Sequence, residues 1–153
     1  MVRLADTTPS LRHHLEHLEC QTFPATPWST GRPLAKRRIA IVSTAGLQKR
    51  GGRPFALGAS DYRVIPGDTP GAEIVMSHIS TNFDRSGYQQ DLNVVFPIDR
   101  LREFATSGEI GSVADFHYSF MGATAPENMA AATRDLARLL QADEVDGVLL
   151  VPV

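Results

Sequence analysis

The run Arg38-Ile39-Ala40-Ile41-Val42-Ser43 is apolar without alternation, and Gly147-Val148-Leu149-Leu150-Val151-Pro152-Val153 repeats that pattern at the other end of the chain. A strand with one wet face alternates polar and apolar residues. Two unbroken runs of this length therefore predict strands buried on both faces of a parallel sheet. Such a sheet needs helices over each face, and 153 residues are enough for one domain built that way.

The intervening sequence supplies the other layers. Tyr62-Arg63-Val64-Ile65 and Glu73-Ile74-Val75-Met76-Ser77 read as further strands, separated by the turn Pro66-Gly67-Asp68-Thr69-Pro70-Gly71. Pro97 opens a helix whose inner face is Ile98, Leu101 and Ala105 and whose stop signal is Gly108. The period of Ser112 to Phe120 is ambiguous between states, with a short strand ending in the Met121-Gly122 loop as one reading. Thr124-Ala125-Pro126-Glu127 has the form of a capping box ahead of a helix burying Met129, Ala132, Leu136, Leu139 and Leu140.

Near the N-terminus, Thr8 is expected to cap a helix that starts at Pro9 and carries Leu11, Leu15 and Leu18 as a narrow stripe. The Pro-rich stretch from Phe23 to Pro33 reads as a linker anchored by Phe23 and Trp28. The expected organisation is thus an N-terminal helix and linker over residues 1–33, packing on a body over 34–153. That body is expected to be a three-layer α/β domain with a mainly parallel sheet, flavodoxin-like in style. It is also expected to be incomplete at its C-terminus, because an all-apolar strand calls for a covering helix, a partner chain or self-association.

Lys and Arg number 15 against 17 Asp and Glu, giving a net charge of -2. A general nucleic-acid or anionic-membrane binder would need a basic excess. No apolar run approaches the length of a membrane span, and Asp6, Arg12, His13, His14 and Glu16 interrupt any secretory core, so the cytoplasm is the expected compartment. Cys20 is the only cysteine, which rules out an intramolecular disulfide; it reads as structural. His13 and His17 lie one turn apart beside Glu16, yet without a third ligand they read as a solvated helix face, and no metal site is expected.

In parallel sheets, ligands bind outside the carboxyl ends of the strands. Ser43-Thr44-Ala45-Gly46 puts two hydroxyls and a glycine at such an end, suited to holding an anionic group. Ser77-His78-Ile79-Ser80-Thr81-Asn82-Phe83-Asp84-Arg85 follows another, where His78, Asn82 and Asp84 offer a proton shuttle, an oriented amide and a carboxylate. His117, in His117-Tyr118-Ser119-Phe120-Met121-Gly122, suits either a pocket wall or an aromatic core. The candidate pocket is therefore Ser43, Thr44, His78, Asn82, Asp84 and His117.

Together with Tyr62-Arg63-Val64-Ile65-Pro66-Gly67-Asp68, Asp91-Leu92-Asn93-Val94-Val95-Phe96-Pro97-Ile98-Asp99-Arg100-Leu101, Gly108-Glu109-Ile110-Gly111-Ser112 and Asp146-Gly147-Val148-Leu149-Leu150-Val151-Pro152, these motifs occur in an ordered series. The series resembles the selenoprotein B family of glycine, sarcosine, betaine and D-proline reductases, from about Leu34 onward. The resemblance implies reductive cleavage of a carbon–nitrogen bond in a small amino-acid-like substrate, with a selenol or thiol as nucleophile. It also implies partner subunits, one bearing a pyruvoyl group in several members. The family's selenocysteine or cysteine lies beyond the last strand, so it is expected to follow Val153 in a longer product, and this chain itself carries no cofactor. The alternative is a non-catalytic small-ligand-binding or scaffold subunit.

Overall fold

The computed structural model describes residues 3–18, 22, 29–80 and 83–153. They divide into two compact units, residues 1–30 and 31–153. In the first, Thr8 caps helix α1 (Pro9–Glu16) by accepting from the Leu11 amide, and none of the helix residues is buried. Cys20, Phe23, Trp28 and Asn82 lie outside the described residues.

The second unit is built on β1 (Arg38–Ser43). Its other elements are β2 (Leu47–Lys49), β3 (Arg63–Pro66), β4 (Ile74–Met76), α2 (Ser86–Gln90), α3 (Ile98–Ser107), β5 (Ser112–Val113), β6 (Phe116–Ser119), α4 (Ala130–Ala142) and β7 (Gly147–Val151). Strands β5, β6 and β7 all pair parallel with β1, while β3 runs antiparallel to β6. Strands β2 and β4 form a separate antiparallel pair. The main sheet is therefore mostly parallel, as the unbroken apolar run at β1 requires.

Backbone direction shows how β1 is shared. The carbonyls of Arg37, Ile39 and Ser43 accept from Ser112, Ala114 and Phe120, whereas Arg38 and Thr44 bond Asp146 and Val151. Odd-numbered residues thus face β5 and β6, and even-numbered ones face β7. From Ile39 to Val42 the chain advances three residues, while the partner strand advances from Val113 to Tyr118. Ala114 and Asp115 are the surplus, a two-residue bulge that divides one strand into β5 and β6.

Side chains alternate across this sheet into two apolar clusters. Ile39 and Ile41 join Ile65, Phe96, Ile98, Leu101 and Ile110 on the face covered by α3. Val42 joins Tyr118, Phe120, Leu136, Met129, Ala132 and Leu140 on the face covered by α4. The architecture is accordingly helix, sheet, helix. Ile98 and Leu101 give α3 its inner face, each worth about 2 kcal/mol of apolar burial. Gly108 ends that helix at φ +78°, a left-handed conformation open to glycine.

Two expectations are corrected. β7 is not buried on both faces: Val148 is 40% and Leu150 70% exposed. β1 lies on one side of it, and α4 leaves much of its outer part uncovered. The capping box also does not form. The Thr124 hydroxyl donates instead to the Ala59 carbonyl at 2.7 Å, so a short 3-10 turn, Pro126–Met129, precedes α4.

Candidate functional site

At the carboxyl end of β1 the chain turns through Thr44, Ala45 and Gly46 into β2. Every backbone donor of this turn has an internal partner: Thr44 bonds Val151, Ala45 bonds the Ser43 hydroxyl, Gly46 bonds Phe120 and Leu47 bonds the Ser119 hydroxyl. The turn is a welded corner with no free amide for an anion. Ser43 is fully buried within it. Thr44 works at a distance in sequence: its hydroxyl accepts from the Val153 amide at 2.8 Å and donates to the Val153 carbonyl at 3.3 Å.

Gly46 explains how the second segment arrives here. It has φ +66°, and a Cβ at this position would stand 3.0 Å from both Cα and N of His78. The glycine therefore admits the backbone of the Ser77-His78 segment against the β1 corner. Ser77 fastens the approach, donating to Gln48 at 2.5 Å and accepting from the Phe55 amide at 2.9 Å.

His78, Ser80, Phe83, Gly122, Ala123 and Val153 line a cavity of about 250 Å³ at this corner. His78 is 6% exposed, and its ring lies 5.0 Å from that of Phe83. Its Nδ1 accepts from the Ser80 amide at 3.2 Å, which leaves the hydrogen of the neutral ring on Nε2. That Nε2 is buried and has no hydrogen-bond partner among the described residues. Burial first, and the nearby Arg85 charge second, hold the imidazole below its ordinary pKa and hence neutral. Arg85 Nη2 donates to the carbonyls of His78 and Ser80, at 2.5 and 3.0 Å, and its charge meets no carboxylate among the described residues.

The remaining candidates lie elsewhere. Asp84 lies just ahead of α2 and accepts from the Ser86 amide at 2.9 Å; that bond holds its carboxyl below the usual range. His117 is completely buried and does not line the cavity. Its Nδ1 accepts from the Ile41 amide at 3.0 Å, supplying the bond that the Ala114-Asp115 bulge withdraws from β1. Burial is the main reason that its pKa falls from 6.5 to about 4. Beside it, Asp143 accepts the Asp115 and Phe116 amides and pairs with Arg38, which also donates to Val113. A larger depression of about 720 Å³ opens at the opposite edge of the sheet, but its Arg102 is committed to Asp99 and the Gly67 carbonyl.

Sequence reasoning passed over Arg38, Arg85 and Asp143. Arg38 was detectable: a cation opening an otherwise buried apolar strand needs a carboxylate. Among the described residues no group of three or more potential metal ligands is present, and no helix is long and apolar enough to cross a membrane.

A mostly parallel sheet flanked by helices, with a cavity at the carboxyl ends of its strands, defines an α/β protein of the type that keeps its chemistry on strand-end loops. Which α/β protein is answered by comparison. The family model for glycine/sarcosine/betaine reductase selenoprotein B matches residues 27–153, and the chain belongs to that family. It is 32% identical over 134 residues to the D-proline reductase subunit gamma of Acetoanaerobium sticklandii, covering 83% of this chain and 54% of that protein. It is also 32% identical over 124 residues to the betaine reductase complex component B subunit beta of Peptoclostridium acidaminophilum, covering 78% of this chain and 28% of that one. A glycine reductase complex component B subunit gamma from Carboxydothermus hydrogenoformans is 28% identical over 124 residues, again 78% of this chain and 28% of its own length. The chain thus spans about half the length of the first relative and less than a third of the other two. No solved structure matches it significantly.

Proposed function

We propose that this chain is the first portion of a selenol- or thiol-dependent reductase subunit that cleaves a carbon–nitrogen bond of a small amino-acid-like substrate within a multi-subunit complex. One observation carries the reading. The Thr44 hydroxyl fixes Val153 at the wall of the cavity that His78 also lines, so a residue following position 153 would lie next to that cavity. A selenocysteine or cysteine there would supply the nucleophile, since a selenol is largely ionised at neutral pH and an ordinary thiol of pKa about 8.5 is not. Residues of this chain would bind and orient the substrate, and a pyruvoyl group would reside on a partner subunit.

The names of the relatives support assembly into a complex, and the exposed apolar outer part of β7 is the surface offered to a partner subunit or a second copy. The second reading is a binding or scaffold subunit, for which the small lining of His78, Ser80, Phe83, Gly122, Ala123 and Val153 would suffice. One experiment separates the two. A product extended past position 153 to its selenocysteine or cysteine is assayed with partner subunits and a dithiol on D-proline, glycine, sarcosine and betaine. Reductive C–N cleavage by the extended product and not by residues 1–153 is the expected outcome, read as amine released from glycine, sarcosine or betaine and as ring opening of D-proline to a linear amino acid. Tight partner binding with no turnover of any of the four would leave the scaffold reading in place.

A further inference from the structure

The turn over residues 56–59 carries Leu57 at 89% exposure, the highest of any large apolar side chain among the described residues. A single exposed leucine is ordinary on a protein surface. This one is distinguished by how firmly its turn is held. The Ala59 amide closes the turn on the Ala56 carbonyl at 3.1 Å. Ahead of it, Phe55 is buried and its amide donates to the Ser77 hydroxyl at 2.9 Å. The Arg63 guanidinium lies 4.1 Å over the Phe55 ring and donates to the carbonyls of Arg53 and Pro54, at 2.8 and 3.1 Å. Behind it, the Ala59 carbonyl accepts the Thr124 hydroxyl, the bond that replaces the capping box ahead of α4. None of this buries the tip, since Ala56, Leu57 and Gly58 all remain exposed. The bonds fix an apolar projection in solvent, which lowers the ordering cost of docking it into something else.

Position and charge indicate what it docks into. Ser77 adjoins His78 and Thr124 adjoins Ala123, so the turn is rooted on both sides beside the 250 Å³ cavity. Residues 48–63 hold four cations, Lys49, Arg50, Arg53 and Arg63, against Asp61 alone, a net +3 in a chain of net -2. Asp61 serves both Arg53 and Arg63, while Lys49 and Arg50 meet no carboxylate among the described residues. One leucine buries too little hydrocarbon to hold a protein on a bilayer, and the function proposed above already places the chain in a complex. We propose that the Leu57 turn is a docking knob for another subunit of that complex, which receives the leucine in an apolar pocket rimmed by carboxylates. The inference rests on the reductase reading and adds a second contact surface besides β7, one that brings the partner to the cavity.

The test titrates the chain Met1–Val153 with the partner subunits of the turnover assay, the pyruvoyl-bearing one included, by calorimetry at low and high NaCl. The wild-type chain is expected to bind, and more weakly at high salt. Leu57→Ser should weaken binding at least about tenfold, the loss expected for one buried leucine. Leu57→Met, of similar volume, should retain most of the affinity. Lys49→Gln combined with Arg50→Gln should weaken binding at low salt and flatten its salt dependence. All of these side chains are exposed, so thermal midpoints should stay at the wild-type value and separate lost affinity from lost fold.

The proposal is overturned if the wild-type chain binds none of the partner subunits, or if Leu57→Ser binds them as wild type does. It is equally overturned if Leu57→Ser spares partner binding and instead abolishes self-association or adhesion to phosphatidylglycerol vesicles, which would make the occupant a second copy or a membrane. Each of these results leaves the reductase reading to its own assay on the extended product. Leu57-dependent partner binding alongside an extended product with no turnover would instead remove the reductase reading and keep the docking surface in a scaffold subunit.

Discussion

One imidazole keeps the central strand continuous. His117 replaces a ladder bond to Ile41, and being fully buried it must do so uncharged. A base whose folded pKa is about 4, against 6.5 in the unfolded chain, binds fewer protons when folded. Its contribution to stability is complete above pH 6.5 and declines as the pH falls towards 4, by up to about 3 kcal/mol. Urea unfolding between pH 7 and 4 should therefore show a steep loss, and His117→Asn, which keeps an acceptor near Nδ1 but does not titrate, should flatten it. An equal slope in both proteins would contradict this account. Gly122 is the other sensitive position: a Cβ there would stand 2.6 Å from the Val153 carbonyl and 3.0 Å from that of Thr44. Gly122→Ala should cost about 2 kcal/mol, on the scale of overpacking a tight site, and should disturb the cavity; chemical denaturation and the His78 ring signal would report the two effects separately.

Among the elements, the bulge between β5 and β6 is held by a cluster of polar bonds. Asp143 collects both amides there and the Arg38 guanidinium, joining the end of α4 to the start of β1. Asp143→Ala should destabilise by about 3 kcal/mol in urea at neutral pH, because it strands Arg38 and two amides together. Asp143→Asn, still able to accept, should cost less. This arrangement shows what could be read in advance. Helix α3 was predictable to its last residue, since a left-handed stop at Gly108 is a local property. β1 was predictable because burial on two faces leaves a compositional mark. The bulge was not, since nothing in Ala114-Asp115 announces two surplus residues, and its partner lies 28 residues from Asp115. His78 was singled out from its position after a strand, but the other walls of the cavity it lines come from segments far apart in sequence and were not foreseen together. β7 misled for a related reason: its apolar run reports a surface meant to be covered, and cannot say by what.

Across the second unit, exposure is uneven. Leu150 at 70% and Val148 at 40% leave one margin of the sheet apolar and uncovered. A strand of this kind pairs or aggregates. The chain should accordingly self-associate with concentration in sedimentation velocity, and Leu150→Lys should shift it towards monomer with its thermal midpoint little changed. A wild-type chain that remains monomeric at high concentration would contradict this.

The bond between Thr44 and Val153 matters mechanically. Five residues of β7 are tied to β1 by a ladder that opens only by separating strands, whereas Val153 is held by the Thr44 hydroxyl and by its packing against the core. Thr44 therefore acts as a catch that fastens Val153, one wall of the cavity, to the end of β1.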